Sequence, residues 1–238
     1  MSSTSATKMG PLPESAVRYR RVYVWEMPVR VYHWLNALSV AVLAVTGFII
    51  GRPVSIGGAA EAYQQYWFGT VRFAHFVAAF FFFFNFVFRI YWGFVGNRYA
   101  KWTNFIPTRP RQVEEMGEIL RVDVLQTKLR GKISIGHNSL AGFIYFLSFL
   151  AFLFQALTGF ALYSSMSNSW FPRMFAWITP VMGGDFQVRM WHHAFMWFFI
   201  LFAVVHVYLV GYHDYLEGRG TVSSIVGGWK FERENGEK

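Results

Sequence analysis

The chain contains no cysteine among its 238 residues. That absence excludes iron–sulfur ligation by this chain, covalent haem attachment through a CxxCH motif, cysteine-bearing zinc sites and any disulfide framework. Charge is scarce too: 15% of residues are charged, against about 25% in an average soluble domain. Acidic residues number 13 against 22 basic ones, and none lies in the four most apolar stretches. Hydrophobic types make up 54% and aromatics 21%. They are gathered into blocks instead of being spread at core periodicity, which excludes an ordinary soluble globule and points to a membrane protein. Any metal chemistry must use histidine. The formal charge of +9 raises nucleic acid as a partner, but Lys and Arg sit beside the apolar blocks. Membrane topology explains them there, so no nucleic acid is expected.

Four stretches are apolar for the length that crosses a hydrocarbon core: 32–50, 71–94, 140–162 and 191–212. The fold expected is all-α, an integral membrane four-helix bundle spanning 1–238 as one unit, with terminal tails at 1–29 and 213–238. No removable signal-peptide pattern precedes the first span. The amino-terminal tail to Arg30 holds five Lys and Arg, the second connection eight and the carboxy-terminal tail four. The first and third connections hold two each, Arg52 with Arg72 and Arg173 with Arg189. The positive-inside rule then predicts both termini in the cytoplasm, with spans one and three running outward. A charged, helix-prone stretch at 113–130 reads as a helix lying on the inner membrane surface. The aromatic segment 170–184 either lies in the interface or caps something beneath it. Thr46-Gly47-Phe48 and Thr158-Gly159-Phe160 end the two outward spans alike, too short an echo to establish a repeat.

Five of the seven histidines lie within or at the edges of spans: His33, His75, His192, His193 and His206. Ionisable residues at membrane depth mark function by default, the alternative for any single one being an interhelical hydrogen bond. His192 and His206 are 14 residues apart, hence about 40° apart around a helix and about 21 Å apart along it. They share a face at two depths. His193 lies about 140° from His206 and is expected to face elsewhere, as a structural or peripheral residue. His33 opens an outward helix, level with His206, and His75 opens an inward helix, level with His192. Two cross-helix pairs follow, His75 with His192 and His33 with His206. Paired imidazoles from facing helices are how a bundle grips a planar macrocycle through both axial positions of iron, and haem bound without cysteine is b-type.

Gly47 is 14 residues beyond His33 and leaves space at the outer depth, for haem or for close helix packing. Arg89, 14 residues beyond His75, reads at the inner depth as a partner of haem propionates or of lipid head groups. Arg72 and Arg189 read the same way outside. The run at 80–84 and the tryptophans read as lipid-facing bulk and interfacial anchors. His213, beside Asp214, reads as a solvated terminus. His137, with Asn138, opens the third span on the inner side as a quinone-binding or proton-relaying group, or as a structural one.

The motifs Arg30-Val31-Tyr32-His33-Trp34, Val45-Thr46-Gly47-Phe48, Arg72-Phe73-Ala74-His75-Phe76 and the run from Arg89 through Trp92-Gly93 to Gly96-Asn97-Arg98 occur in that order. Gly136-His137-Asn138, Thr158-Gly159-Phe160, Trp191-His192-His193 and His206-Val207-Tyr208 continue it. Together they resemble the b-type cytochrome subunit of membrane-bound nickel–iron hydrogenases, over nearly the whole chain beyond its first twenty residues. The wider family includes cytochrome subunits of formate dehydrogenases and related reductases.

The resemblance implies two haems b, with His33, His75, His192 and His206 at the axial-ligand positions. It implies a multi-pass subunit of the bacterial cytoplasmic (inner) membrane, surrounded by lipid. The partners implied are the hydrogenase small subunit, with its iron–sulfur chain and C-terminal membrane helix, and the large subunit on the outer face. It implies electron transfer to menaquinone or ubiquinone in a respiratory chain, with hydrogen oxidised elsewhere and no catalytic residue in this chain. Three rivals are weaker: the cytochrome subunit of a formate or other reductase, a His-lined metal-ion transporter, and an anchor with purely structural histidines. A transporter path calls for carboxylates at midplane, which the four spans lack.

Overall fold

The computed structural model describes residues 19–53, 66–125 and 138–233. Four long helices dominate it: α1 Met27–Gly51, α2 Trp67–Val95, α4 Ser139–Ser164 and α7 Asp185–Glu217. With 25 to 33 residues each they are about 38 to 50 Å long, more than the roughly 30 Å of a hydrocarbon core. Each contains one predicted span and outruns it at both ends. Hydropathy stops where Arg, Tyr, Trp and His become frequent, whereas backbone hydrogen bonding continues past the apolar zone. α7 thus runs through His213 to Glu217, so His213 is helical.

Neighbouring helices touch in the cyclic order α1, α2, α4, α7. Because lipid solvates the outside, large apolar side chains remain exposed around the bundle, including Leu201 and Val207. The phenylalanine run corrects the sequence reading. Phe81 and Phe84 face outward, but Phe82 is buried against Phe152, with ring centroids 5.0 Å apart. Phe80 and Phe83 pack on Phe160. At 100° per residue, five consecutive side chains cannot all meet lipid.

At the end of the bundle away from the described termini, two short helices, α5 Trp170–Arg173 and α6 Ile178–Val181, cover it. Phe171 meets the Phe160 ring edge-on and Phe175 stacks on it, and Ile178 is buried with Ala161 and Val188. Of the two readings of 170–184, the capping one describes this geometry.

The opposite end carries both described chain ends. Strand β1 Tyr19–Tyr23 pairs antiparallel with β2 Trp229–Arg233, Tyr19 opposite Arg233 and Tyr23 opposite Trp229. Both strands lie in the segments expected to be terminal tails, 1–29 and 213–238. An isolated two-stranded ribbon is marginal, and this one is anchored. Between α7 and β2, helix α8 Thr221–Gly227 accepts from Trp25 Nε1 at Ser224 Oγ (3.1 Å), from the Arg30 guanidinium at Val226 O and from Trp34 Nε1 at Ile225 O (3.3 Å). Glu26 accepts from Trp92 Nε1 and from the Asn97 amide, at 3.1 and 2.8 Å. Gly228, at φ 87°, allows the sharp entry into β2 where a Cβ would strike Trp25 O. Lys230 is buried with its ammonium 5.9 Å from the Trp25 ring centre. Burial lowers its pKa, Glu217 and Asp214 opposing that shift and Arg219 adding to it.

The connection from α2 to α4 carries a 3-10 turn, Trp102–Asn104, and α3 Pro110–Leu125, which packs on α4. The helix expected over 113–130 therefore starts earlier, and its last five residues lie outside the described ones. Gly142 on α4 lets the Asn104 carbonyl approach; a Cβ there would stand 2.6 Å from that oxygen. A main-chain oxygen cannot rotate away, so Gly142→Ala should destabilise the protein by roughly 1–3 kcal/mol. A lower thermal midpoint of helical circular dichroism in detergent is the expected reading.

Candidate functional site

Near the far end, the four helices enclose a cavity of about 400 Å³. His75 of α2 and His192 of α7 line it, from helices on opposite corners of the bundle. A glycine faces each imidazole from the neighbouring helix. A Cβ on Gly47 of α1 would lie 3.3 Å from His75 Cε1, and one on Gly159 of α4 would lie 3.1 Å from His192 Cε1. The residue before each glycine touches the same ring: Thr46 Oγ1 is 2.8 Å from His75 Nδ1, and Thr158 Oγ1 is 2.9 Å from His192 Nδ1. Arg72 and Arg189 also line the cavity, along with Met196, which approaches Gly47. Arg72 contacts Met166 Sδ at 2.7 Å, and Arg189 pairs with Asp185 at 3.1 Å with both groups exposed. Such a pair holds the arginine only weakly.

His193 departs from the sequence expectation. It lines the same cavity, and its ring lies against Gly51 of α1, where a Cβ would come within 2.7 Å of Cε1. α7 is wedged between α1 and α4. Consecutive residues 100° apart thus reach both neighbours, with the cavity between them. Facing away from His206 is not facing out of the bundle.

Toward the end with the termini, His33 of α1 and His206 of α7 form the second pair, ring centroids 6.4 Å apart and planes tilted by 49°. Two bonds of about 2 Å from nitrogen to metal, plus about 1 Å from each nitrogen to its ring centre, put imidazoles sharing one metal about 6 Å apart. His206 is exposed and stacks on Phe202 at 5.6 Å. His33 is half-buried, and its Nδ1 has no hydrogen-bond partner among the described residues.

Arg89 does not reach lipid head groups, because its side chain is 2% exposed, and it stands apart from the far cavity. Its guanidinium donates to Tyr145 Oη (3.3 Å) and to Ala100 O (3.1 Å), and lies 5.0 Å from the ring centres of both Trp102 and Phe105. This arginine packs the 96–105 turn onto the bundle. Asn138 is the N-cap of α4, its Oδ1 accepting from the Ala141 amide at 2.7 Å. His137 lies outside the described residues.

Gln155 was not visible as a site residue from sequence. Its Nε2 is 3.2 Å from His192 O, an obligate acceptor, which identifies that atom as the amide nitrogen. The same nitrogen is 3.3 Å from His192 Nε2, so it donates to an unprotonated imidazole nitrogen. Thr46 and Thr158 join the site as well, and their repeated Thr-Gly-Phe context is the signal that the sequence carries for them.

The chemistry of this donor set fits a haem b. Imidazoles stand on opposite walls, and a glycine beside each keeps the approach to the ring open. Cationic side chains at the rim suit propionate carboxylates. His192 would hold the group through the same Nε2 that meets the Gln155 amide, so Gln155 would have to release that nitrogen.

Residues 24–228 match the family model described as prokaryotic cytochrome b561. A relative from Azotobacter chroococcum mcd 1, named "Probable Ni/Fe-hydrogenase B-type cytochrome subunit", is 36% identical over 240 residues, covering 99% of both chains. One of the same name from Cupriavidus necator is 40% identical over 89% of this chain and 87% of its own. The Escherichia coli K12 protein named "Probable Ni/Fe-hydrogenase 1 B-type cytochrome subunit" is 35% identical over 87% and 90%. Filling the space under the imidazoles tests the cavity. Gly47→Val and Gly159→Val should each lower haem retention at the far site about ten-fold, the equivalent of 1–3 kcal/mol of overpacking, measured as haem absorbance per chain after dilution in detergent.

Proposed function

Because the chain belongs to the prokaryotic cytochrome b561 family, we propose that it is the di-haem b membrane subunit that takes electrons from the iron–sulfur clusters of a nickel–iron hydrogenase and delivers them to membrane quinone. The observation that carries this reading is the presence of two imidazole pairs at two depths of one bundle, the far pair backed by a glycine under each ring. The names of the relatives support a nickel–iron hydrogenase as partner; in this reading its small subunit is the electron donor and its large subunit the site of hydrogen chemistry.

Bound haem b supplies a one-electron iron couple, and ligation by two imidazoles leaves the metal no open position for substrate. His75 and His192 hold the far group, and His33 and His206 hold the near one. Arg72 and Arg189, which line the cavity, would pair with propionate carboxylates, and the exposed bond of Arg189 to Asp185 is weak enough to be given up for one. The aromatic helices around both levels exclude water. Five, eight and four Lys and Arg flank the end bearing the termini, against two in each far connection. By the positive-inside rule that end faces the cytoplasm of a bacterial inner membrane. The hydrogenase then docks on the far, outer face, and the quinone, menaquinone or ubiquinone, is reduced near the inner pair. His137 is a candidate quinone ligand, while Asn138 serves the α4 cap.

Quantified haem and a reduced-minus-oxidised spectrum of the membrane-extracted chain test the assignment. The wild type should carry two haems b. His75→Ala and His192→Ala should each lose the same one, and His33→Ala and His206→Ala the other. His193→Ala should retain both, since in this reading His75 already has His192 as its partner and the His193 ring lies against Gly51 of α1. A colourless wild-type chain, or two haems in the His192 variant, would sink the proposal.

A further inference from the structure

The Thr-Gly pairs of α1 and α4 make the same contact twice. Thr46 donates its hydroxyl proton to Val42 O at 2.6 Å, and Thr158 donates its own to Phe154 O at 2.9 Å. A hydroxyl has one proton to give, and a backbone carbonyl can only accept. Each Thr oxygen therefore meets imidazole Nδ1 as an acceptor, and the proton of the 2.8 and 2.9 Å contacts belongs to the histidines. Gln155 gives an independent reading of the same tautomer at His192, because its amide nitrogen faces an Nε2 that must be unprotonated. Both threonines are buried, at 9% and 1% exposure, so water does not compete for the bond.

We propose that Thr46 and Thr158 are positioning residues for the far haem: they fix the Nδ1–H tautomer and ring plane of His75 and His192 and make each Nε2 a stronger donor to iron. This rests on the reading of those histidines as ligands. A hydrogen bond accepted from the distal ring nitrogen raises the basicity of a ligating imidazole and stabilises the oxidised metal. The glycine after each threonine is the second half of the device, since it lets the helix backbone come close enough for a short Thr side chain to reach Nδ1. The near pair lacks this support, His33 Nδ1 having no partner among the described residues. The two haems are thereby held differently, and only the far one answers to the threonines.

The test uses the full chain in native membranes, with Thr46→Val, Thr158→Val and the corresponding Ser variants. Valine keeps the shape and removes the acceptor, whereas serine keeps the acceptor. Each Val variant should raise the midpoint potential of one haem in a potentiometric titration, weaken its retention about ten-fold or more and shift its low-spin electron paramagnetic resonance signal. The other haem should stay unchanged. The Ser variants should titrate like the wild type. If a Val variant fails to accumulate, an Ala variant beside the Ser variant makes the same comparison. Wild-type potentials and spectra in the Val or Ala variants, alongside loss of one haem in His75→Ala and His192→Ala, would overturn the positioning role and leave the ligand reading intact. Two haems retained in those His variants would overturn both.

Discussion

A histidine placed at bilayer depth has no water to satisfy its second nitrogen, and in this chain it has no carboxylate either. The spans contain no acidic residue, so imidazole donors must be answered by neutral acceptors on neighbouring helices. That constraint organises the far half of the bundle. Thr46 reaches His75, Thr158 reaches His192, and the glycines beside them set the helix spacing that makes the reach possible. The cavity between the two rings follows from the same arrangement, since each imidazole is drawn back against its own neighbour and the centre stays open.

The echo in the sequence becomes a geometric relation in three dimensions. The first helix of each pair supplies Thr and Gly, and the second supplies His. Stepping back 13 residues from Thr46 reaches His33, and from Thr158 reaches Tyr145. Stepping on 14 residues from His75 reaches Arg89, and from His192 reaches His206. The His33–His206 pair between α1 and α7 is thus answered across the bundle by Tyr145 and Arg89, which are bonded to each other between α4 and α2. The far pair joins equivalent positions and sits centrally. The near pair occupies one of two equivalent sites and lies to one side, which is why His206 is exposed. The other site is filled by a guanidinium among aromatic rings.

The end with the termini has a different logic. Strands β1 and β2, α8 and the 96–105 turn are tied together by Trp, Asn and Glu side chains at or just beyond the ends of the apolar stretches. Hydrogen bonds there face water as a competitor and gain from being shared within a network. The network clamps the ends of α1, α2 and α7 where the near histidine pair is held, and this gives two otherwise polar tails a structural role.

Four spans, their rough limits and the shared face of His192 and His206 were legible in the sequence, because length, hydropathy and the 100° step are local properties of one helix. The composition also restricted any metal chemistry to imidazole. Which helices are neighbours is not local, and everything depending on it waited for the tertiary structure. His193 joined the cavity because α7 lies between α1 and α4, and Arg89 turned to Tyr145 because the 96–105 turn folds back over it. Phe80, Phe82 and Phe83 of the Phe80–Phe84 run went inward because α4 stands behind α2. The pairing of two tails into a strand ribbon has no signature in either segment alone, since each supplies only half of the hydrogen bonds that hold it.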